Sequence, residues 1–215
     1  MLGDRVAALF DSRFLRGYAR GKIEHDPVYA AVFARIPDMP LVDLGCGIGL
    51  LPFYLRERGF NQPILGVDHD ARKVSAAATA TDGRYHALTF RTGDARESLS
   101  FLGSVVMLDL LHYFDDATQL RILRNAAACV MPGGAAIIRD ALRDGTWRYR
   151  LTYLQESAAR AIGWLRAERL NFPTRQTLVA AFDGFTVEEI PLRGGLPLNN
   201  YLFVFRRPSS GITSA

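Results

Sequence analysis

One run of nine residues constrains this chain more than any other: Val42-Asp43-Leu44-Gly45-Cys46-Gly47-Ile48-Gly49-Leu50. Residues 41–44 read as a short, buried strand, and residues 50–58 continue as a helix. Glycines placed between a strand and a helix let the backbone pass close to a ligand. They also open a helix N-terminus toward it. Such a turn belongs at the rim of a parallel sheet, and the rest of the chain can be tested against that demand.

It meets the demand by alternation. Residues 63–68 form a second strand and residues 70–80 an alanine-rich helix. Residues 85–92 form a third strand, after which Gly93-Asp94-Ala95 turns into a short helix. Residues 104–109 form a fourth strand, and Asp115 or Asp116 caps a helix running to residue 130. Pro132-Gly133-Gly134 turns the chain into a fifth strand at residues 135–140. This pattern implies a parallel sheet with helices on both faces and right-handed crossovers. A ligand then sits beyond the carboxyl ends of the strands.

Both flanks differ from the middle. Residues 6–23 repeat apolar side chains at helical spacing, and a second helix follows with Asp26 as N-cap and Pro27 at its first position. Residues 143–170 form a long helical insert bearing Trp147, Tyr149, Tyr153 and Trp164. Pro173-Thr174 starts another helix, to Phe182. Two strand-like runs, 185–192 and 198–205, hold Gly194-Gly195 between them; with no helix to connect them they pair antiparallel. The expected fold is therefore α/β: a doubly wound, mostly parallel seven-stranded sheet with an antiparallel last strand. Residues 1–207 form a single domain, with N-terminal helices over 1–37 and a cap insert over 143–171. The tail from residue 208 reads as disordered.

Composition fits an ordinary soluble protein of a reducing compartment. A chain of 215 residues buries about 70% of its unfolded surface and has no need of a disulfide or metal staple. Two cysteines, Cys46 and Cys129, make neither a disulfide framework nor a four-ligand zinc site. The charged start, Met1 to Arg5, is no signal peptide, and no apolar stretch approaches the ~20 residues of a membrane span. A cytoplasmic location is the expectation. The net charge of +4 permits a nucleic acid partner but does not argue for one, because the cations are scattered.

Three features sharpen the loop. Its spacing is Gly-x-Gly-x-Gly, whereas a dinucleotide fingerprint needs Gly-x-Gly-x-x-Gly. Asp43 stands inside an apolar strand, where a carboxylate is costly unless it faces a cation or donors. Asp68 ends the second strand about 20 residues on, where ribose hydroxyls are bound in such folds.

With these residues the chain resembles the class I S-adenosylmethionine-dependent methyltransferases. The resemblance implies S-adenosyl-L-methionine as cofactor, with Asp43, Gly45, Cys46 and Gly47 wrapping its amino acid part. Asp68 would bind the ribose, with His69 beside the adenine. Asp94, next to Ala95, would accept from the adenine amino group. Asp109 and Leu110 would line the methionine and methyl side, and Lys22 could pair with the cofactor carboxylate.

The segment after strand four carries the candidate chemistry. His112 to Asn125 lines up with the segment of small-molecule O-methyltransferases that begins at their catalytic histidine, except that Tyr113 replaces their usual Asp. Two readings stand: His112 is a general base for a hydroxyl acceptor, or it shapes and packs the site. Tyr18, Tyr113, Trp147 and Tyr153 are the candidate acceptor contacts. Other acceptor chemistries lack their residues. There is no Asn/Asp-Pro-Pro-aromatic run, no cysteine at this place, and Ala141 follows Asp140 where a metal-dependent catechol enzyme has an Asp-Asn pair; no metal is expected. The segment around Tyr18 to Lys22 is similar to bacterial methyltransferases of pigment and polyketide-like pathways, which favours a specialised or carrier-bound aryl acceptor. RNA or protein methylation, and a cofactor-binding module without catalysis, are the alternatives. The oligomeric state is left open.

Overall fold

The computed structural model describes residues 1–161, 170–192 and 197–209. Trp164, the Gly194-Gly195 pair and most of the tail lie outside the described residues. In chain order the elements are α1 (Leu2–Ala7), α2 (Arg13–His25), α3 (Val28–Phe33), β1 (Leu41–Leu44), α4 (Leu50–Glu57), β2 (Ile64–Asp68), α5 (Ala71–Thr81) and β3 (Leu88–Thr92). They continue with β4 (Ser104–Leu108), a 3₁₀ turn (Leu111–Tyr113), α6 (Asp116–Cys129), β5 (Ala135–Ala141), α7 (Trp147–Ala161), α8 (Arg175–Val179), β6 (Thr186–Pro191) and β7 (Asn200–Arg206).

The seven strands form one sheet in the order β3-β2-β1-β4-β5-β7-β6. β1 pairs parallel with both β2 and β4, so the winding reverses between β1 and β4. β7 runs antiparallel to β5 and β6, with Ile137 opposite Val204 and Val187 opposite Phe205. This is the architecture expected from the sequence, and its reversal point is where a crevice opens for ligands.

Alternation along the strands divides the core in two. Val106, Ile137, Leu202 and Val204 face a layer made with α1–α4, where Phe10 packs edge-on to Phe53. Val105, Met107, Ile138, Phe203 and Phe205 face the α6 layer. There Phe182 stacks on Phe205 at 4.1 Å between ring centroids. Adjacent residues of β5 therefore serve opposite faces.

Two local expectations are corrected. The helix read over residues 6–23 is two helices, because Ser12 accepts from the Leu15 N–H (3.4 Å) and restarts the chain as an N-cap. The turn at Gly93-Asp94-Ala95 does not become a helix. The Asp94 carboxylate accepts from the Arg96 N–H at 2.9 Å, and that side-chain turn competes with helical bonding.

Candidate functional site

The glycine turn is held against β2. The Gly45 and Cys46 N–H groups donate to the Val67 carbonyl at 2.7 and 3.0 Å. The Gly47 N–H donates to the Asp68 carboxylate at 2.8 Å. Gly45 and Gly47 have φ of +84° and +55°, the left-handed region that a side chain resists. A Cβ on Gly45 would also press on Leu110 at 3.1 Å, so the loop and the segment leaving β4 are in contact. At Gly47 the case is different: a Cβ would meet no described atom within 4 Å. The space above Gly47 lies open at the reversal point of the sheet.

Acidic groups line up beside that space. Asp68 is buried; its second oxygen accepts from the Asp70 N–H at 2.9 Å, and the exposed His69 ring approaches that oxygen at 3.4 Å. Asp43, only 3% exposed, has its carboxyl pushed up to about 8 by burial and by the neighbouring Asp68 charge. Burial, with Asp43 and Asp68 behind it, pushes the Cys46 thiol far above its ordinary range, so it is no nucleophile. Asp94 is held below the usual carboxylate range, chiefly by its Arg96 hydrogen bonds, with His69 also contributing; Ala95 beside it is buried.

The next group ties the N-terminal helices to the sheet. Lys22 Nζ lies 3.3 Å from Asp26, Arg139 Nη2 donates to Asp26 at 2.5 Å, and Arg139 Nη1 donates to Asp109 at 2.6 Å. Burial opposes the Asp26 charge, but Arg139 and Lys22 prevail and hold its carboxyl low. Asp109 has φ of +56°, an uncommon conformation for a residue with a side chain. The sequence reading took Asp26 as the N-cap of α3, with Pro27 at its first position; the structure instead has Pro27 as the N-cap and Val28 as the first helical residue, with the Asp26 carboxylate accepting from the Val28 N–H at 3.1 Å. That reading assigned no role to Arg139.

His112 lies on the other face of β5. It is buried in the 3₁₀ turn, with Nδ1 2.9 Å from Asp140. Asp140 also accepts from the backbone N–H groups of Leu111, His112 and Ala141 at 3.1, 3.3 and 2.9 Å, so the carboxylate fixes both the imidazole and the turn that carries it. The role of Asp140 was missed as well. The available signal for both was two adjacent charged residues, Arg139 and Asp140, in an otherwise apolar strand.

The aromatic candidates divide. Tyr113 and Phe172 flank the His112 ring at 4.2 and 5.2 Å, and Tyr149 and Tyr153 of α7 close over Phe172 at 6.0 and 6.4 Å. Trp147 is exposed, with the Arg148 guanidinium over its ring. Tyr18 belongs elsewhere, on the wall of a cavity beside Lys22 and Arg139. No cluster of metal-ligating side chains occurs among the described residues, and no described helix is long and apolar enough to cross a membrane.

Residues 15–189 match a family model described as a methyltransferase domain. The chain is 29% identical over 157 residues to the carboxy-S-adenosyl-L-methionine synthase of Pseudomonas paraeruginosa. The match takes in 68% of this chain and 62% of that protein, so the chain spans less than two thirds of that relative's length. Among solved structures it is similar to magnesium protoporphyrin IX methyltransferase (ChlM) from Synechocystis PCC 6803 with bound SAH, at TM-score 0.66 and 18% identity over 94% of this chain and 91% of that one. It is also similar to the mitomycin 7-O-methyltransferase MmcR, at TM-score 0.66 and 19% identity over 91% of this chain and 57% of that one. At such identities the structural likeness establishes the fold.

Proposed function

The chain belongs to the S-adenosylmethionine-dependent methyltransferase family and its cofactor is S-adenosylmethionine; on that premise we propose that it methylates a hydroxyl group of a small, aromatic or specialised acceptor, free or carrier-bound. The observation that carries this reading is the cradle at the reversal point: Gly47 donating to Asp68, with open space above Gly47 and a buried carboxyl at Asp43.

The residues present fit the cofactor. The open face of Gly47, in a turn whose Gly45 and Cys46 N–H groups are tied to the Val67 carbonyl, suits an amino acid chain laid along bare backbone. Asp68 uses each oxygen for one backbone donor, and a carboxylate has lone pairs left for ribose hydroxyls. His69 and the Asp94-Ala95 turn would flank the adenine, and Lys22, Asp109 and Leu110 the methionine end. When bound, S-adenosylmethionine supplies a methyl group already activated by positive sulfur. Alignment and exclusion of water are then the protein's main contributions, on the order of 7–11 kcal/mol.

A hydroxyl acceptor also needs to lose its proton. A phenol of pKa ~10 is ionised to roughly one part in a thousand at neutral pH, a deficit of about 4 kcal/mol. Asp140 accepts from His112 Nδ1, which makes Nε2 the nitrogen that would take that proton. Tyr113, Tyr153 and Trp147 would contact the acceptor from the cap side in this reading.

The test is a screen with labelled methyl donor against phenols, hydroxybenzoates, acyl-carrier conjugates and tRNA. Labelling of a hydroxyl on a small or carrier-bound acceptor supports the proposal; labelling of tRNA or protein alone overturns it. The relative named as a carboxy-S-adenosyl-L-methionine synthase adds one outcome: a heavier sulfur cofactor and no methylated acceptor, which also overturns it.

A further inference from the structure

The turn that carries His112 is too short to hold itself. A 3₁₀ turn of three residues, Leu111–Tyr113, leaves most of its backbone groups to outside partners, and those partners set its place. On one side Asp140 takes the Leu111 and His112 N–H groups. On the other side two amides take the carbonyls. Gln119 of α6 is fully buried, and its Nε2 donates toward the carbonyls of Leu111, Phe114 and Asn171 at 3.1, 3.0 and 2.6 Å. An amide nitrogen carries two hydrogens, so these carbonyls share them. Gln119 Oε1 has no hydrogen-bond partner among the described residues. The reverse orientation of the amide would set that oxygen against the carbonyls, so holding the turn outweighs the unmet acceptor.

Asn171 is the second amide, and it arrives from the end of the cap insert. Its N–H donates to the His112 carbonyl at 2.8 Å, and its Nδ2 donates to the Phe114 carbonyl at 3.0 Å and to Asp116 at 2.8 Å. Arg143, which also holds Asp116, donates to Asn171 Oδ1 at 3.3 Å and so decides which end of the side chain faces the turn. The next residue, Phe172, is buried, and its ring lies 5.2 Å from the His112 ring at a tilt of 31°. Tyr149 and Tyr153 of α7 meet the same Phe172 ring edge-on. Asn171 thus fixes where Phe172 falls along the turn, and Phe172 joins the cap helix to the imidazole.

We propose that Asn171 is a positioning residue for methyl transfer: through its bonds to the carbonyls of His112 and Phe114 it seats Phe172 on the imidazole and keeps Nδ1 on Asp140, with Nε2 presented to the acceptor. The inference rests on the reading of His112 as the group that takes the acceptor's proton. A side chain that only filled space here would be replaceable by one of the same size. Asn171→Asp keeps size and shape but turns Nδ2 into an oxygen facing a carbonyl and the Asp116 carboxylate. Asn171 is half-buried, so this variant and Asn171→Ala are expected to fold.

The test uses the full chain saturated with S-adenosylhomocysteine. Hydrogen exchange at the His112 ring is followed by NMR, with the Val106 amide of β4 as the reference for global opening. In the unaltered chain the Nδ1–H bonded to Asp140 should exchange slowly. Asn171→Asp and Asn171→Ala should each speed that exchange at least about tenfold more than they speed exchange at Val106, with S-adenosylhomocysteine affinity unchanged. With the hydroxyl acceptor found by the labelled-donor screen, kcat should fall at least about tenfold while the acceptor KM stays within about twofold. Asp116→Asn, which keeps an oxygen for Asn171, should change neither exchange nor kcat. Exchange at Nδ1 indifferent to both Asn171 variants, or raised only in step with Val106, overturns the inference by making Asn171 a structural contact alone. A loosened Nδ1–H with undiminished kcat, in a chain that His112→Ala disables, overturns it too. Full turnover in His112→Ala would instead sink the proton-transfer reading beneath it.

Discussion

Replacing Asp43 by Asn should make the protein more stable, by an amount that depends on pH in a defined way. Asp43 is buried in β1 beside Asp68, and its carboxyl is pushed up to about 8 in the folded chain. In the unfolded chain it returns to about 3.9. Between those values the folded state keeps a proton that the unfolded state has lost. Stability must therefore fall as pH rises, by about 1.4 kcal/mol per unit, and level off above the folded value. Asn has the same shape and no proton to lose. The advantage of Asp43→Asn should thus grow from near zero around pH 4 to several kcal/mol around pH 8. Urea unfolding of both proteins at four pH values between those limits reads it directly. A difference that stays constant with pH would refute the reasoning, because it would mean that Asp43 is ionised in the folded protein.

His112→Ala should lower turnover of a phenolic acceptor by about 10²–10⁴ and remove the low-pH limb of the rate profile, with cofactor affinity unchanged; full turnover would leave His112 a packing residue. Gly47→Val should abolish cofactor binding in a calorimetric titration, while costing only about 1–2 kcal/mol of stability for a side chain at positive φ. Cys46 should resist iodoacetamide at neutral pH in the folded chain, as read by mass spectrometry, because its thiol is buried between carboxylates.

Much of the fold was legible because its signals are local. A glycine turn between a strand and a helix, and strands that are continuous apolar runs, each span about ten residues or fewer. The break at Ser12 was harder to see, since a single capping side chain competes with apolar spacing that runs on past it. Asp94 was read as opening a helix because its carboxylate's bond to the Arg96 N–H is invisible in residue type. The site divides along the same line. The cradle residues sit at strand ends, so position along the chain locates them. Arg139 and Asp140 do not announce themselves, because their partners are distant: Asp26 is 113 residues from Arg139, and His112 is 28 from Asp140. Strand alternation then sends the two neighbours to opposite faces.

The claim on which the rest depends is that the turn between β1 and α4 holds a sulfonium nucleoside. Calorimetric titration of the chain with S-adenosylmethionine and, separately, with NAD tests it most directly. Saturable S-adenosylmethionine binding that Asp68→Ala weakens, with no NAD binding, is the predicted result. Tight NAD binding with no response to S-adenosylmethionine would contradict it.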